Sequence, residues 1–282
     1  MAGPSIDRRT FLKSAAALAA AAALPSRPLR AADDYGGKSI PVGLQLYTIG
    51  REANADPAAA LAKVAQLGYR GVEFAGYFGK DAKTLRKMLD DNGLKCCGSH
   101  LGLDLFLKGD NFKKTVDFAK TLGCPLLNVP GQRNAGKQGW VDSARRFNDL
   151  SDKLKPLGLR IGYHCHPGDF EKIDGEPVWD IFFGNTNKDV VMQCDLGHMG
   201  TADVDPVMYL NKYPGRAASV HVKPSAKQKR NLLVGEDELN WPAIFKACET
   251  VGGTEWYIVE YDGGSMEKAA RTIETLKKWG KC

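Results

Sequence analysis

Five histidines, His100, His164, His166, His198 and His221, stand at or just past the ends of short apolar runs, and carboxylates share those positions. Glu73 lies in the run 71–74, Asp195 ends the run 190–195 with His198 three residues on, and Glu260 ends the run 256–260 with Asp262 beyond. Gln45, Tyr47, Asn128 and Lys223 complete the polar set at the run ends. Chance would scatter histidines over helices and loops, so their convergence on one kind of position points to a shared site. Imidazoles mixed with two or three carboxylates suit one divalent ion of the Mn²⁺, Co²⁺, Zn²⁺ or Fe²⁺ type. The mixture is too rich in nitrogen for a dedicated Ca²⁺ or Mg²⁺ cage.

These residues are set in a repeated phrase: a helical pattern, a Gly, one or two residues, then a short β-rich run. It occurs at Leu67-Gly68-Tyr69, Asn92-Gly93-Leu94, Leu122-Gly123-Cys124, Leu157-Gly158-Leu159 and Val251-Gly252-Gly253. Gly there suits a helix C-terminus, because it enters the left-handed conformation without a Cβ penalty. Eight runs, 42–47, 71–74, 95–100, 126–129, 160–166, 190–195, 218–222 and 256–260, are nearly continuous in apolar residues, as parallel strands buried on both faces should be. Amphipathic stretches at 57–67, 83–92, 112–122, 143–157, 241–251 and 266–279 read as helices. The pattern predicts an α/β fold, a (β/α)8 TIM barrel, whose chemistry sits at the C-terminal strand ends. No G-x-G-x-x-G follows the first strand, which opposes a doubly wound dinucleotide fold.

A chain of 282 residues with 43% hydrophobic and 26% charged residues can build a sizeable core, which excludes disorder and a disulfide mini-scaffold. The seven cysteines form no C-x-x-C pair, and most lie in apolar runs where free thiols behave as small hydrophobes. Trp241, Trp256 and Trp279 fall in helical or strand patterns and read as core. Residues 1–32 run from Asp7-Arg8-Arg9-Thr10-Phe11-Leu12-Lys13 through an Ala/Leu stretch to Pro25 and Ala31-Ala32. This order of basic, apolar and small-residue regions marks a targeting segment. It resembles a twin-arginine export signal, which predicts a periplasmic or extracytoplasmic protein exported folded, with no stable membrane anchor. Residues 33–282 then form a single domain. Arg8, Arg9, Lys13, Arg27 and Arg30 against Asp7 give the segment +4 of the total +6, so the remaining residues carry +2. That balance gives nucleic-acid binding little support. One basic stretch remains at 223–230, which reads either as a phosphate-binding or lid loop or as a solvated surface.

At these residues the chain resembles the sugar phosphate isomerase/epimerase family with the xylose isomerase-like TIM barrel. The matching pieces are Val42-Gly43-Leu44-Gln45-Leu46-Tyr47-Thr48, Gly71-Val72-Glu73-Phe74, Gly162-Tyr163-His164-Cys165-His166-Pro167, Cys194-Asp195-Leu196-Gly197-His198 and His221-Val222-Lys223-Pro224. Val234-Gly235-Glu236, Leu239-Asn240-Trp241 and Trp256-Tyr257-Ile258-Val259-Glu260-Tyr261-Asp262 follow in the family's order.

The resemblance implies a divalent metal held by one ligand from each of strands five to eight, which in epimerases are Glu, Asp, His and Glu. Here Asp195, His221 and Glu260 match, and His164 stands where the first Glu would be. His166, two residues on, is an alternative strand-five ligand. Epimerases of this kind use the strand-five and strand-eight carboxylates as bases on opposite faces of an enediolate, while the metal acidifies the adjacent C–H. With His164 in place, Glu260, His166 or His198 must move the proton. Two reactions follow: isomerisation or epimerisation of a keto or oxidised sugar, or β-elimination from a 3-keto-glycoside. Relatives with His-x-His on strand five and an export signal favour the lyase by analogy. His100, Glu73, Lys223 and Tyr47 are the expected substrate contacts, the expected partner is a small sugar or glycoside, and a homo-oligomer is compatible with the sequence.

Two other classes compete. A DNA-repair endonuclease shares the barrel and an Asp-x-x-His pair like Asp195–His198, but needs more metal ligands and a basic surface, which the +2 charge and the export signal oppose. A non-catalytic exported sugar-binding protein fits the pocket, although a four-residue ligand set is more than binding requires.

Overall fold

In the computed structural model the described residues are 39–229 and 231–282; the expected signal at 1–32 and Arg230 of the basic stretch lie outside them. The eight apolar runs become β1 (Val42–Gln45), β2 (Gly71–Phe74), β3 (Lys95–His100), β4 (Leu126–Val129), β5 (Arg160–His164), β6 (Val191–Asp195), β7 (Ser219–Val222) and β8 (Trp256–Val259). All pair in parallel with their sequence neighbours, and β1 joins β8 through Val42↔Tyr257, Gly43↔Ile258 and Leu44↔Val259, closing the barrel. Closure leaves no exposed sheet edge, and helices wrapped outside cover the other face.

Helices begin and end where the local chemistry directs. Asp56 accepts from Ala59 N at 3.0 Å ahead of Pro57–Leu67, and Gly68 ends that helix at φ 104°. Ser265 caps Met266–Lys278. Between β5 and the outer helices, Phe147, Tyr163 and Phe182 pack at centroid distances of 5.0–6.1 Å, which locks the strand carrying His164. Six cysteines are buried and free, as their apolar settings imply, and Cys282 is exposed. Trp241 and Trp279 pack against each other at 6.1 Å. No helix among the described residues is long and apolar enough to cross a membrane.

Several boundaries differ from the sequence reading, each with a local cause. β1 stops at Gln45 because its side chain accepts from Tyr47 N at 3.2 Å and starts a 3₁₀ turn, Leu46–Ile49. β5 stops at His164, since His166 N turns to Asp169 Oδ2 at 2.7 Å and opens another 3₁₀ turn, Pro167–Phe170. The helix expected to 251 runs as Trp241–Ala247 and then widens into a π turn, Cys248–Gly252. Short helices Val178–Gly184, Leu196–Thr201 and Pro206–Lys212, and a small hairpin of Lys172–Ile173 with Glu176–Pro177, were not foreseen.

Candidate active site

The site is built in two layers inside the C-terminal end of the barrel. The lower layer centres on Glu73 of β2, which is fully buried. Its Oε1 accepts from Asn128 Nδ2 at 3.0 Å and Gln193 Nε2 at 2.8 Å, and its Oε2 accepts from Gln45 Nε2 at 2.9 Å. Oε2 also lies 2.6 Å from His221 Nε2 and 3.2 Å from His100 Nε2. Burial alone would raise this carboxyl's pKa, but the His100 and His221 imidazoles outweigh it and hold Glu73 well below the usual range. Protein groups thus meet both oxygens of Glu73, which was expected among the substrate contacts.

That upper layer brings together His164, Asp195, His221 and Glu260, each offering one atom within 4.8 Å of the others. His221 Nδ1 faces Glu260 Oε2 at 2.6 Å and Asp195 Oδ2 at 3.8 Å. Burial disfavours the charged ring, yet Glu73 and Glu260 more than offset this and push His221 up to about 10. The position calls for a cation. His164, buried against His221 and His100, is held well below the usual histidine range and keeps a neutral ring. Asp195 spends Oδ1 on His198 N at 2.8 Å, as the N-cap of Leu196–Thr201, and turns Oδ2 toward His221 and Lys223 without a hydrogen bond.

The fit to a metal rests on four atoms. His164 Nδ1, Asp195 Oδ2, His221 Nδ1 and Glu260 Oε2 are all buried and lack an aligned hydrogen bond. Buried polar atoms are normally hydrogen-bonded, and here His221 Nδ1, Glu260 Oε2 and Asp195 Oδ2 meet one another only as close charge contacts while His164 Nδ1 has no hydrogen bond, an arrangement that suits a shared bound ion. Two imidazole nitrogens and two carboxylate oxygens form a donor set for a borderline divalent ion. Glu73 behind His221 is the kind of outer carboxylate that orients a ligating ring. His166 does not join this set; it groups with His164 and His198 beyond the strand end.

Around this point the expected residues line a cavity of about 490 Å³: Tyr47, His100, His164, His166, His198 and Glu260, with Gln45 and Asp262 beside them. His166 is lowered to about 4 by burial and by His198, whose ring lies 4.8 Å away. Lys223 sits in the wall with Nζ 2.9 Å from Asp262 Oδ2, 3.2 Å from Glu260 Oε1 and 3.1 Å from His198 Nε2. Burial opposes its charge, but Asp195, Glu260 and Asp262 raise its pKa. Tyr47 is 59% exposed at the mouth, on the turn after β1 rather than on the strand. Phe74, which ends β2, is fully buried in the core. Gln193 was missed. It bonds His100 Nε2 at 2.7 Å, Glu73 Oε1 and Ser219 Oγ, and the only signal for it was a lone amide two residues before Asp195 on the same strand face.

A family model described as xylose isomerase-like TIM barrel matches residues 61–279, and a twin-arginine translocation signal model matches residues 5–25, which marks the chain for export across the membrane. An inosose dehydratase of Lacticaseibacillus casei is 25% identical over 242 residues, covering 71% of this chain and 80% of that protein. The rhizopine catabolism protein MocC of Rhizobium meliloti is 22% identical, covering 71% and 73%. A sugar phosphate isomerase/epimerase structure from Parabacteroides distasonis superposes with a TM-score of 0.74 at 26% identity, covering 85% of this chain and 98% of the other.

Proposed function

The chain belongs to the xylose isomerase-like TIM barrel family, and on that premise we propose that it is a divalent-metal-dependent lyase that removes the proton beside the carbonyl of a keto or oxidised sugar or cyclitol and expels a β-substituent. The observation that carries this reading is the convergence of four buried ligand atoms from His164, Asp195, His221 and Glu260, all within 4.8 Å of one another, beneath an open cavity. A divalent ion held by these four residues would supply Lewis acidity to a substrate carbonyl.

The side chains above it divide the proton work. His166 is neutral down to about pH 4 and faces the cavity, so it has a lone pair with which to take the proton. His198 lines the same cavity and receives a hydrogen bond from the Lys223 ammonium at 3.1 Å, a pair suited to returning a proton to the departing oxygen. His100 and Tyr47 are placed for substrate hydroxyls. Isomerisation or epimerisation starts with the same abstraction, but a symmetric exchange needs a carboxylate on each face, and strand five offers His164. Relatives named inosose dehydratase support elimination.

The test is proton exchange and product formation with an inosose and with a 3-keto-glucoside in D2O, using protein loaded with Mn, Co, Zn or Fe. Loss of the proton beside the carbonyl together with an unsaturated ketone is expected. Full activity in both Glu260→Gln and His221→Ala would sink the reading.

A further inference from the structure

The central cavity does not end at the reacting centre. A second cavity of about 630 Å³ lies beside it, and His198 and Asp262 line both. Either volume alone falls within the roughly 300–1,000 Å³ that holds a whole small ligand. A single keto sugar ring seated over the four-ligand point leaves the second cavity unfilled.

The wall of this second space is built. Lys223, Pro224, Ser225, Ala226, Lys229, Asn231 and Leu232 contribute to it, and the neighbouring chain is pinned by Ser225 N to Asp237 Oδ2 at 2.7 Å, Ser225 Oγ to Glu238 Oε1 at 2.6 Å, Ala226 N to Thr201 Oγ1 at 3.1 Å and Val234 N to Tyr261 Oη at 3.1 Å. Its lining sets the donors of Thr201, Lys229, Asn231 and Lys268 among apolar carbons of Pro167, Pro224 and Leu232. Lys229 has no carboxylate partner among the described residues, and the Lys268 ammonium lies over the Tyr261 ring at 5.4 Å and 3.5 Å from Asn231 Oδ1. Hydrogen-bond donors spaced along apolar patches match the alternating hydroxyls and C–H faces of a saccharide.

We infer that this second cavity is a subsite for the β-substituent that leaves, and that the substrate is a glycoside whose oxidised ring sits over the four-ligand point and whose second saccharide unit fills the space beyond His198. The inference rests on the proposed elimination. In that step the base takes the proton beside the carbonyl, its electron pair forms the new C=C bond, the bond to the glycosidic oxygen breaks, and that oxygen leaves as an alcohol once protonated. The ring is left as an unsaturated ketone, and no oxidant or reductant is consumed.

The experiment compares a 3-keto disaccharide with the matching 3-keto methyl glycoside, in wild type and in Ala226→Trp and Lys229→Trp, two exposed positions in the cavity wall outside the four-ligand centre. Wild type is expected to favour the disaccharide at least 10-fold in kcat/KM. Each Trp variant should lose at least 10-fold on the disaccharide and stay within about 2-fold on the methyl glycoside, because only the former reaches the second cavity. Equal rates on both substrates in wild type, or equal losses on both in the variants, overturn the subsite. Proton exchange in D2O on the methyl glycoside separates the two readings: exchange with no disaccharide preference defeats the subsite alone, and absence of exchange with both substrates defeats the elimination and the subsite with it.

Discussion

Glu73 Oε2 lies 2.6 Å from His221 Nε2, inside a carboxylate shell completed by amides from three other strands. A carboxylate only accepts, so the contact fixes the proton on Nε2 and turns Nδ1 toward Glu260 and Asp195. One buried charge at the floor of the barrel thus decides which nitrogen His221 shows to the site.

Replacing Glu73 by Gln keeps the shape and removes the charge. The new amide also directs its N–H₂ at donors, either that of Gln45 or those of Asn128 and Gln193. Metal affinity should fall about 10- to 100-fold, the range seen when an outer partner of a ligating histidine is lost. Competition with a chelator reads this directly, and unchanged affinity would show that Glu73 does not orient His221.

Metal removal should lower stability through the same four atoms. With no ion, His164 Nδ1, Asp195 Oδ2, His221 Nδ1 and Glu260 Oε2 stay buried without aligned partners. An ion at a thousand times its dissociation constant stabilises the folded state by about 4 kcal/mol. Thermal melts with and without chelator should therefore differ for wild type and coincide for Asp195→Ala. A chelator-insensitive wild type that also contains no metal by elemental analysis would favour a sugar-binding protein.

That the histidines, Asp195 and Glu260 gather at one place was legible because a parallel barrel puts strand ends on one rim, and short apolar runs ending in His or Asp announce those ends. Depth was not legible. Glu73 carries the same kind of signal as Glu260, yet its side chain lies one layer lower, a level set by how β2 is staggered against β3, where the register shifts between Val72 and Glu73. The helix Val178–Gly184 escaped for a different reason. Val178, Trp179, Asp180, Ile181, Phe182 and Phe183 are all buried, so no solvent face writes a period of 3.6 into the sequence.

Gly162 tests how tightly the floor is packed. A Cβ there would stand 2.1 Å from Asn128 Oδ1 and 3.1 Å from Val191 O, and Asn128 cannot swing away without releasing Glu73. Gly162→Ala should destabilise the protein by about 1–3 kcal/mol, the usual cost of overpacking a filled core. Urea denaturation reads the change, and a neutral result would mean that the Asn128–Glu73 bond is dispensable.

Export depends on the adjacent arginines within the matched signal at residues 5–25. Changing both Arg8 and Arg9 to Lys keeps the charge and removes the pair. Precursor should then accumulate in the cytoplasm, visible by fractionation with an antibody, whereas normal export would assign the segment to another route.

Lys223 is the positive counterpart of the carboxylates around the centre. The residue is 5% exposed, and its ammonium lies 3.6 Å from Asp195 Oδ2, 3.2 Å from Glu260 Oε1 and 2.9 Å from Asp262 Oδ2. Lys223→Met leaves the first two carboxylates buried together with one cation fewer, and removing one partner of a buried pair costs about 3–5 kcal/mol. Asp262 is mostly exposed, so water takes over its share and the lower end of that range is expected. A divalent ion between Asp195 and Glu260 would restore part of the missing charge. The stability gap between Lys223→Met and wild type should therefore narrow on metal loading, measured as the difference in urea midpoints with metal and with chelator. A gap of the same size in both conditions would mean that the Lys223 ammonium and the four-ligand point do not share the same carboxylate charge.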